Sequence, residues 1–203
     1  MPSTYMVSAQ TLTTLRDRVE QFLADTTNLK FVTGLIDDAI RLALGEYSTW
    51  RPLEDVATLL MTARQTELGS DFAGLFRVLR VQYPYTAAAP EYPLTLPEWE
   101  LVKDAGVFAL MLTDVPAPAG TKYARVWFVK GHTLSGLDSA TVTTFPPSID
   151  WLLELGAAGH ALFSRAIALS EDVNFDTTAT PNLLVAASRL VKEFRFQLRV
   201  MAG

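Results

Sequence analysis

The chain has no cysteine, only two histidines, and few charged residues, which make up 19% of its 203 positions. Without cysteine it can form no disulfide, thiolate nucleophile or cysteine metal site, and it suits a reducing compartment. No other ligand stands at zinc-binding spacing from His132 or His160, so the sequence predicts neither a metal nor another cofactor. The net charge of -5 argues against a protein that coats nucleic acid.

The sequence also lacks the signals of export, membrane insertion and common enzyme chemistry. No basic segment precedes an apolar run at the N-terminus, so no signal peptide is expected. The most apolar stretch, residues 151–169, carries Glu154, His160 and Arg165, which favours a buried helix over a membrane span. There is no nucleophile elbow, P-loop or dinucleotide fingerprint, and the chain is therefore expected not to be an enzyme.

What the chain does have is a hydrophobic content of 49% and a hydrophobic period that changes along its length. This content is high for a monomer and suggests apolar surface that other subunits cover. Apolar residues at helical spacing predict four helices, at about 11–24, 29–47, 149–170 and 182–201. Alternating residues predict strands at 55–63, 75–85, 107–113 and 123–129, and the stretch 141–145 is also β-prone.

This order of elements predicts an α+β fold, in which a helical bundle core of about four helices carries an inserted antiparallel β domain. The core is assigned to residues 1–52 and 148–203, and the β domain to residues 53–147. Prolines mark both junctions because they interrupt regular helix. The predicted helix N-caps are Ser8 or Thr11 for the first helix, Thr27 or Asn28 for the second and Ser148 for the third.

Three groups of residues are candidates for contact with other molecules. Small residues around His160 form a smooth helix surface that another helix can approach closely, either within the chain or from a second subunit: Gly156, Ala157 and Gly159. The last helix has a basic face, either solvated or directed at an acidic partner or nucleic acid: Arg189, Lys192, Arg195 and Arg199. The β domain offers aromatic side chains as a contact surface or as part of its own core: Tyr83, Tyr85, Tyr92 and Trp99.

Four segments, at residues 40–52, 79–85, 125–134 and 155–161, resemble the head–tail connector, or adaptor, proteins in the necks of tailed phages and prophages. In that family an Ala-Leu helix ends in an acidic residue, Tyr-Ser, an aromatic or basic residue and Arg-Pro. Here this pattern runs through Glu46 to Pro52. The family also has a strand followed by a His-Thr-Leu-like turn, and here that turn begins at His132.

The resemblance implies a structural protein with no catalytic residues that forms a ring, typically of twelve copies, beneath the phage portal. It implies three protein partners, namely other copies of the chain, the portal protein and the next neck or tail-completion protein. Packaged double-stranded DNA would pass non-specifically through the channel, and no membrane is involved. The implied location is the virion neck, assembled in the host cytoplasm. The small-residue stretch would pack subunits, the basic helix would face portal or channel, and the β domain would meet neighbours.

Two other functions remain open from the residues alone. The first is a non-catalytic ligand- or carbohydrate-binding module, whose pocket would use aromatic residues of the β domain: Tyr83, Tyr85, Trp99 or Trp127. The second is an enzyme whose site assembles only in space. For such a site, the least implausible cluster is His132 with Ser135 and Asp138.

Overall fold

A computed structural model describes residues 10–86, 96–104, 106–118, 120, 122–170 and 179–202. The chain divides into two compact units, which we call the helical unit (residues 1–52 and 132–203) and the β unit (residues 53–131). The helical unit contains helices and the β unit contains two antiparallel sheets. The predicted α+β fold is therefore confirmed.

In its described residues, the helical unit contains four α-helices, α1 (Leu12–Phe22), α2 (Thr33–Trp50), α3 (Asp150–Ser170) and α4 (Ala179–Ala202). Helix α3 lies against each of the other three. The apolar stripes of all four helices meet in one core, whose fully buried members include Leu15, Ile36, Ile40, Phe145, Leu152, Phe194 and Leu198. Burial of each such side chain contributes about 1.5–3 kcal/mol relative to exposure.

The first predicted N-cap is present and the second is wrong. The Thr11 side chain accepts a hydrogen bond from the backbone N–H of Thr14, 3.3 Å away, at the start of α1. Helix α2 begins only at residue 33, with Val32 at its N-cap and no side-chain cap. The reason is Asp25, whose carboxylate accepts the backbone N–H groups of residues 29, 30 and 31 at 2.7–3.3 Å. These bonds hold the segment in a turn and delay the helix.

Helix α3 is the centre of the unit. A 3-10 turn over Pro147–Ile149 precedes it, so Ser148 lies inside that turn. Among the described residues, only the helical stretch Pro147–Ser170 is long and apolar enough to cross a bilayer, with a mean hydropathy of 1.2. Its side chains Leu152, Leu153 and Ala161 are buried within the helical unit, as expected of a core helix.

Residues 132–147, which the sequence analysis assigned to the β domain, lie in the helical unit. Leu134, Leu137 and Phe145 belong to the helical core. The β-prone stretch 141–145 forms no strand, because its threonine hydroxyls bond to backbone groups instead. Thr143 Oγ1 accepts the N–H of Ser135 at 3.0 Å, for example. The unit boundary therefore falls at 131/132 and not at 147/148.

The described residues of the β unit form two three-stranded antiparallel sheets. The first has the order β1-β6-β3, with β1 at Leu53–Met61, β6 at Lys122–Lys130 and β3 at Leu75–Tyr85. The second has the order β2-β5-β4, with β2 at Gln65–Glu67, β5 at Val107–Leu112 and β4 at Trp99–Asp104. Strands β1, β3, β5 and β6 were predicted. Strand β2 has only three residues, and β4 lacks clear alternation, so neither gave a sequence signal.

The inner faces of both sheets share one core. Its members include Leu59, Met61, Val78, Val81, Val126 and Phe128 from the first sheet and Leu110 and Leu112 from the second. Because side chains alternate along a regular strand, the positions between these core residues in β1, β5 and β6 point away from the core. Strand β3 departs from this alternation, since its pairing with β6 has register shifts and its consecutive residues 81–83 are all buried. The β unit therefore has two outer faces, one on each side.

Candidate assembly interfaces

The small-residue stretch of α3 packs against α4 of the same chain. A Cβ atom on Gly159 would lie 2.8 Å from Cγ2 and 3.1 Å from the backbone nitrogen of Val191. A Cβ atom on Gly156 would lie 3.0 Å from three ring carbons of Phe194, and Ala157 is fully buried. Of the two uses left open by the sequence, these three residues serve the intrachain one, and their surface is not free for another subunit.

Two of the predicted site residues, His160 and Arg195, meet at the carboxylate of Glu46, which was predicted as part of the Glu46–Pro52 pattern but not as a site residue. Arg195 on α4 donates from Nε and Nη2 to the two carboxylate oxygens of Glu46 on α2, both at 2.8 Å. His160 Nε2 on α3 lies 3.2 Å from Oε1 of the same carboxylate. This cluster joins three helices. Among the described residues, Arg195 is therefore the one predicted cation of α4 that forms an ion pair, whereas the Arg199 guanidinium lies 6.0 Å from the ring centroid of Trp50.

The charges of this cluster follow from its surroundings. Hydrogen bonds from Arg195 hold the pKa of Glu46 below its usual value, against the opposing effect of burial. Burial lowers the pKa of His160, and the attraction of Glu46 only partly offsets this. His132 also has a pKa lowered by burial. Near neutral pH the helical unit therefore contains an ionised Glu46 and two neutral histidines.

We expect the protein to lose stability in acid, beginning where free histidine titrates. Because burial depresses both histidine pKa values below the ordinary 6.5, the unfolded chain binds more protons than the folded chain below that pH. The free energy of unfolding should then fall by at most about 1.4 kcal/mol per pH unit for each histidine. The depressed pKa of Glu46 adds a further loss at lower pH.

Denaturant titrations across this pH range measure the effect, and His160→Gln should remove part of the slope. Phe163→Gln is the matched control, since Phe163 is exposed on the same helix. A slope unchanged in His160→Gln would contradict the assignment of His160 as a buried neutral histidine.

Helix α4 has a continuous exposed stripe opposite its buried side. The stripe combines three cations with three apolar side chains at helical spacing, and we call it the outward α4 stripe: Val185, Arg189, Lys192, Phe196, Arg199 and Val200. Phe196 is 57% exposed and Val200 60%. Within the described part of the chain, none of the three cations forms an ion pair. Such a surface fits a partner that offers both carboxylates and apolar groups.

Two of the segments that carry the family resemblance meet around His132, through residues that are 81 and 84 positions apart in the sequence. The backbone N–H of His132 donates to Ser48 Oγ at 2.9 Å, and the ring centroids of His132 and Tyr47 lie 5.0 Å apart. Its Nε2 lies 2.9 Å from the carbonyl oxygen of Arg51, which can only accept, so the proton of the neutral ring is assigned to Nε2. We call this arrangement the His132 hub.

The cluster considered for catalysis does not assemble. His132 Nδ1 lies 3.1 Å from Thr144 Oγ1, so both of its ring nitrogens have partners other than Ser135. Ser135 Oγ donates to the carbonyl oxygen of Thr141 at 3.2 Å. Asp138 binds the guanidinium of Arg41, which lowers the pKa of that carboxyl. Among the described residues there is also no group of three or more acidic or histidine side chains that could hold a metal.

The predicted aromatic surface of the β unit is divided among different places. Tyr83 belongs to the core and is only 8% exposed. Tyr85 lies in the β1-β6-β3 sheet, paired with Tyr123, whereas Trp99 packs against the core from the other sheet. Tyr92 lies outside the described residues. The sequence could not reveal this division because β4, which carries Trp99, was not recognised.

Comparison with known proteins found no matching protein family and no matching curated protein. Ten chains of solved structures match, including the following two. One is from the neck of a native GTA particle computed with C12 symmetry, with 16% identity, a TM-score of 0.31, and coverage of 91% of this chain and 92% of the other. The second is from the neck of an empty GTA particle computed with C6 symmetry, with 14% identity, a TM-score of 0.30, and coverage of 96% and 92%. TM-scores below 0.5 do not establish a shared fold.

Proposed function

We propose that this chain is a head–tail connector of a phage-like virion neck. It forms a ring beneath the portal, with twelve copies as the expected number, extends the DNA channel and supports the next neck or tail protein. It acts in the virion neck after assembly in the host cytoplasm, and its role is structural and not enzymatic.

The observation that carries this proposal is the His132 hub. The Glu46–Pro52 pattern and the His132–Leu134 pattern are separate in sequence, yet their residues bind one another through side chains and backbone. Tyr47 and Leu134 also belong to the same core. The residues that carry the resemblance therefore form one structural element, as expected if the pattern reflects a shared fold and not chance.

The outward α4 stripe supports the proposed contact with the portal. Phe196 and Val200 are large, exposed and apolar, and burial against a protein would release their bound water. The three cations of the same stripe, which form no ion pair with a described residue, would meet carboxylates. DNA in the channel needs only weak contact, which is consistent with the net charge of -5.

The alternative of a ligand- or carbohydrate-binding module has less support. It requires Tyr83, Tyr85, Trp99 or Trp127 to line one pocket. Tyr83 is buried, Trp99 packs against the core from the second sheet, and Trp127 lies on the outer face of the first sheet. The four aromatic residues therefore do not line one pocket, although Tyr85 and Trp127 share the outer face of the first sheet, where Arg125 lies 5.3 Å and 5.1 Å from their ring centroids.

The proposal is tested by sedimenting the purified chain with portal rings from its source, while light scattering gives its mass alone. Saturable binding at one copy per portal subunit is the expected result. Absence of binding to every one of these portal rings would overturn the connector proposal.

We expect the triple change Arg189→Glu, Lys192→Glu and Arg199→Glu to weaken portal binding by at least about tenfold, because three cations at the contact become repulsive. Arg195 is left in place, since its loss would expose the Glu46 carboxylate and disturb α4 itself. The matched control reverses three exposed cations of the β unit, namely Arg64, Arg77 and Lys122. Equal binding by the α4 variant and the wild type would exclude the outward α4 stripe as the portal contact.

A further inference from the structure

The outer face of the β1-β6-β3 sheet combines exposed apolar side chains with two stacked arginines. Val56 and Arg80 flank Trp127 across the three strands, and Leu60 pairs with Tyr123 further along. The Arg80 guanidinium carbon lies 3.9 Å from the Trp127 ring centroid. Arg125 lies 5.1 Å from the same centroid. We call this surface the basic face: Val56, Leu60, Arg80, Tyr123, Arg125 and Trp127.

The two arginines of the basic face are oriented but electrostatically unpaired. In the part of the chain that the structure describes, neither forms an ion pair or a side-chain hydrogen bond. Stacking on an aromatic ring holds a guanidinium in place, while its N–H groups remain able to donate in the plane of the guanidinium. Beside them, Val56, Leu60 and Tyr123 are 41–45% exposed. The face therefore fits a surface that supplies both carboxylates and apolar groups.

The outer face of the other sheet offers those groups. Leu110 and Leu112 of β5 point into the core, so Met111 and Val107 point outward. Met111 is paired with Glu100 of β4, and Ala109 lies between Glu67 of β2 and Val102 of β4. Neither glutamate forms an ion pair with a described residue, and Val107 is 42% exposed. We call this surface the acidic face: Glu67, Glu100, Val102, Val107 and Met111.

We propose that the basic face of one copy docks on the acidic face of the next copy. Because the two sheets share one core, the faces lie on opposite sides of the β unit. When the basic face of one copy binds the acidic face of the next, the first copy keeps its acidic face free and the second keeps its basic face free. The contact can therefore repeat from copy to copy and generate a ring or a filament. This contact rests on the proposed function and deepens it, because it supplies the ring with a subunit interface that the α3 glycines do not provide.

A second copy suits the basic face better than nucleic acid does. Phosphates would satisfy Arg80 and Arg125, but they would leave Val56 and Leu60 in water. The acidic face can supply carboxylates to the two arginines and apolar groups to Val56 and Leu60, since Glu67 and Glu100 alternate with apolar residues across three strands. The net charge of -5 also disfavours a polyanion as the partner.

A charge swap tests this contact directly. The first variant, Arg80→Glu with Arg125→Glu, has two acidic faces, and the second, Glu67→Arg with Glu100→Arg, has two basic faces. Sedimentation velocity over a range of concentrations should show self-association of the wild type and at least about tenfold weaker association of each variant alone. An equimolar mixture of the two variants should recover association, because every contact is again between opposite charges.

Arg64→Glu is the matched control, because Arg64 is an exposed arginine of the β unit outside both faces, and it should associate as the wild type does. Circular dichroism of each variant checks that it is folded. A wild type that stays monomeric at every concentration, or a mixture that fails to recover association, would overturn the proposed contact. Tighter binding of a single-stranded oligonucleotide to the basic face would do so as well.

The native absence of cysteine permits a second test that does not depend on charge. Thr58 lies on the basic face beside Arg125, and Val102 lies on the acidic face. Mild oxidation of the double variant Thr58→Cys with Val102→Cys should give a ladder of cross-linked oligomers, and a mixture of the two single variants should give mainly dimers. Efficient dimers of either single variant alone would instead indicate a contact between identical faces and overturn the proposed one.

The portal experiment separates failure of this contact from failure of the proposed function. Charge-reversed variants that still bind portal rings, with no recovery of self-association on mixing, would overturn the contact alone. If the chain self-associates in a charge-dependent way but binds no portal ring, the contact is supported and the connector proposal is overturned.

Discussion

Replacing Gly159 with leucine will lower the free energy of unfolding by about 3 kcal/mol, the upper part of the usual range for overpacking. The first side-chain atom alone would lie 2.8 Å from Val191 Cγ2 and 3.1 Å from the Val191 backbone nitrogen. The backbone cannot yield without moving α4, so the clash falls on the contact between α3 and α4.

Chemical denaturation followed by circular dichroism measures this loss, and Gly45→Ala is the control. Gly45 lies in α2, and a Cβ atom added to it would meet no other group within 4 Å. The alanine should therefore raise the free energy of unfolding by up to about 1 kcal/mol through helix propensity. If Gly159→Leu were as stable as the wild type, the close contact of α3 with α4 would be wrong.

The same substitution has a consequence for function. Helix α4 carries the outward α4 stripe, and it is held by Phe194 on Gly156, by Val191 on Gly159 and by Arg195 on Glu46. Disturbing the second of these contacts should displace the stripe. We therefore expect Gly159→Leu to weaken portal binding although Gly159 itself touches no partner.

Replacing Phe128 with alanine will destabilise the β unit by about 4 kcal/mol, as expected for a large aromatic side chain removed from a packed core. Phe128 is fully buried in the central strand β6, and its ring centroid lies 4.6 Å from that of Phe72. Phe76→Ala in the neighbouring strand β3 is the matched control, since Phe76 is 51% exposed. Its cost should be within about 0.5 kcal/mol.

Thermal and denaturant unfolding of the two variants give the comparison. Equal losses would show that Phe128 is not the core residue described above. The result also bears on assembly, because the basic and acidic faces are held in place by the core that Phe128 fills. We expect Phe128→Ala to weaken self-association together with stability, whereas the charge-reversed variants should lose association alone.

Several elements could be predicted because their cause is local. The 3.6-residue period of α2 and the alternation in β3 and β6 arise from neighbouring residues, and so does the cap at Thr11. Strand β4 and the start of α2 could not be predicted in this way. Strand β4 exists because it pairs with β5 over six residues, and α2 starts late because Asp25 binds three backbone N–H groups.

In the candidate interfaces, too, some features follow from neighbouring residues and others only from contacts between distant segments. The sequence marked Gly156 and Gly159 as a surface for close approach, but it could not say which helix approaches. It also grouped Arg195 with Arg189, Lys192 and Arg199, although only Arg195 turns toward Glu46. The position of Glu46 opposite α4 depends on the packing of α2 beside it, so no spacing in the sequence reports it.

By itself the sequence determined the α+β class, four helices, four of the six strands found in the described residues, and the resemblance to neck connectors. Periodicity and short patterns are properties of neighbouring residues, which is why the sequence could show them. The tertiary structure decided which residues meet. It moved residues 132–147 into the helical unit, joined Tyr47, Ser48 and Arg51 to His132, and placed two arginines and two glutamates on opposite faces of the β unit. Those pairings depend on contacts between distant segments, which only the folded chain brings together.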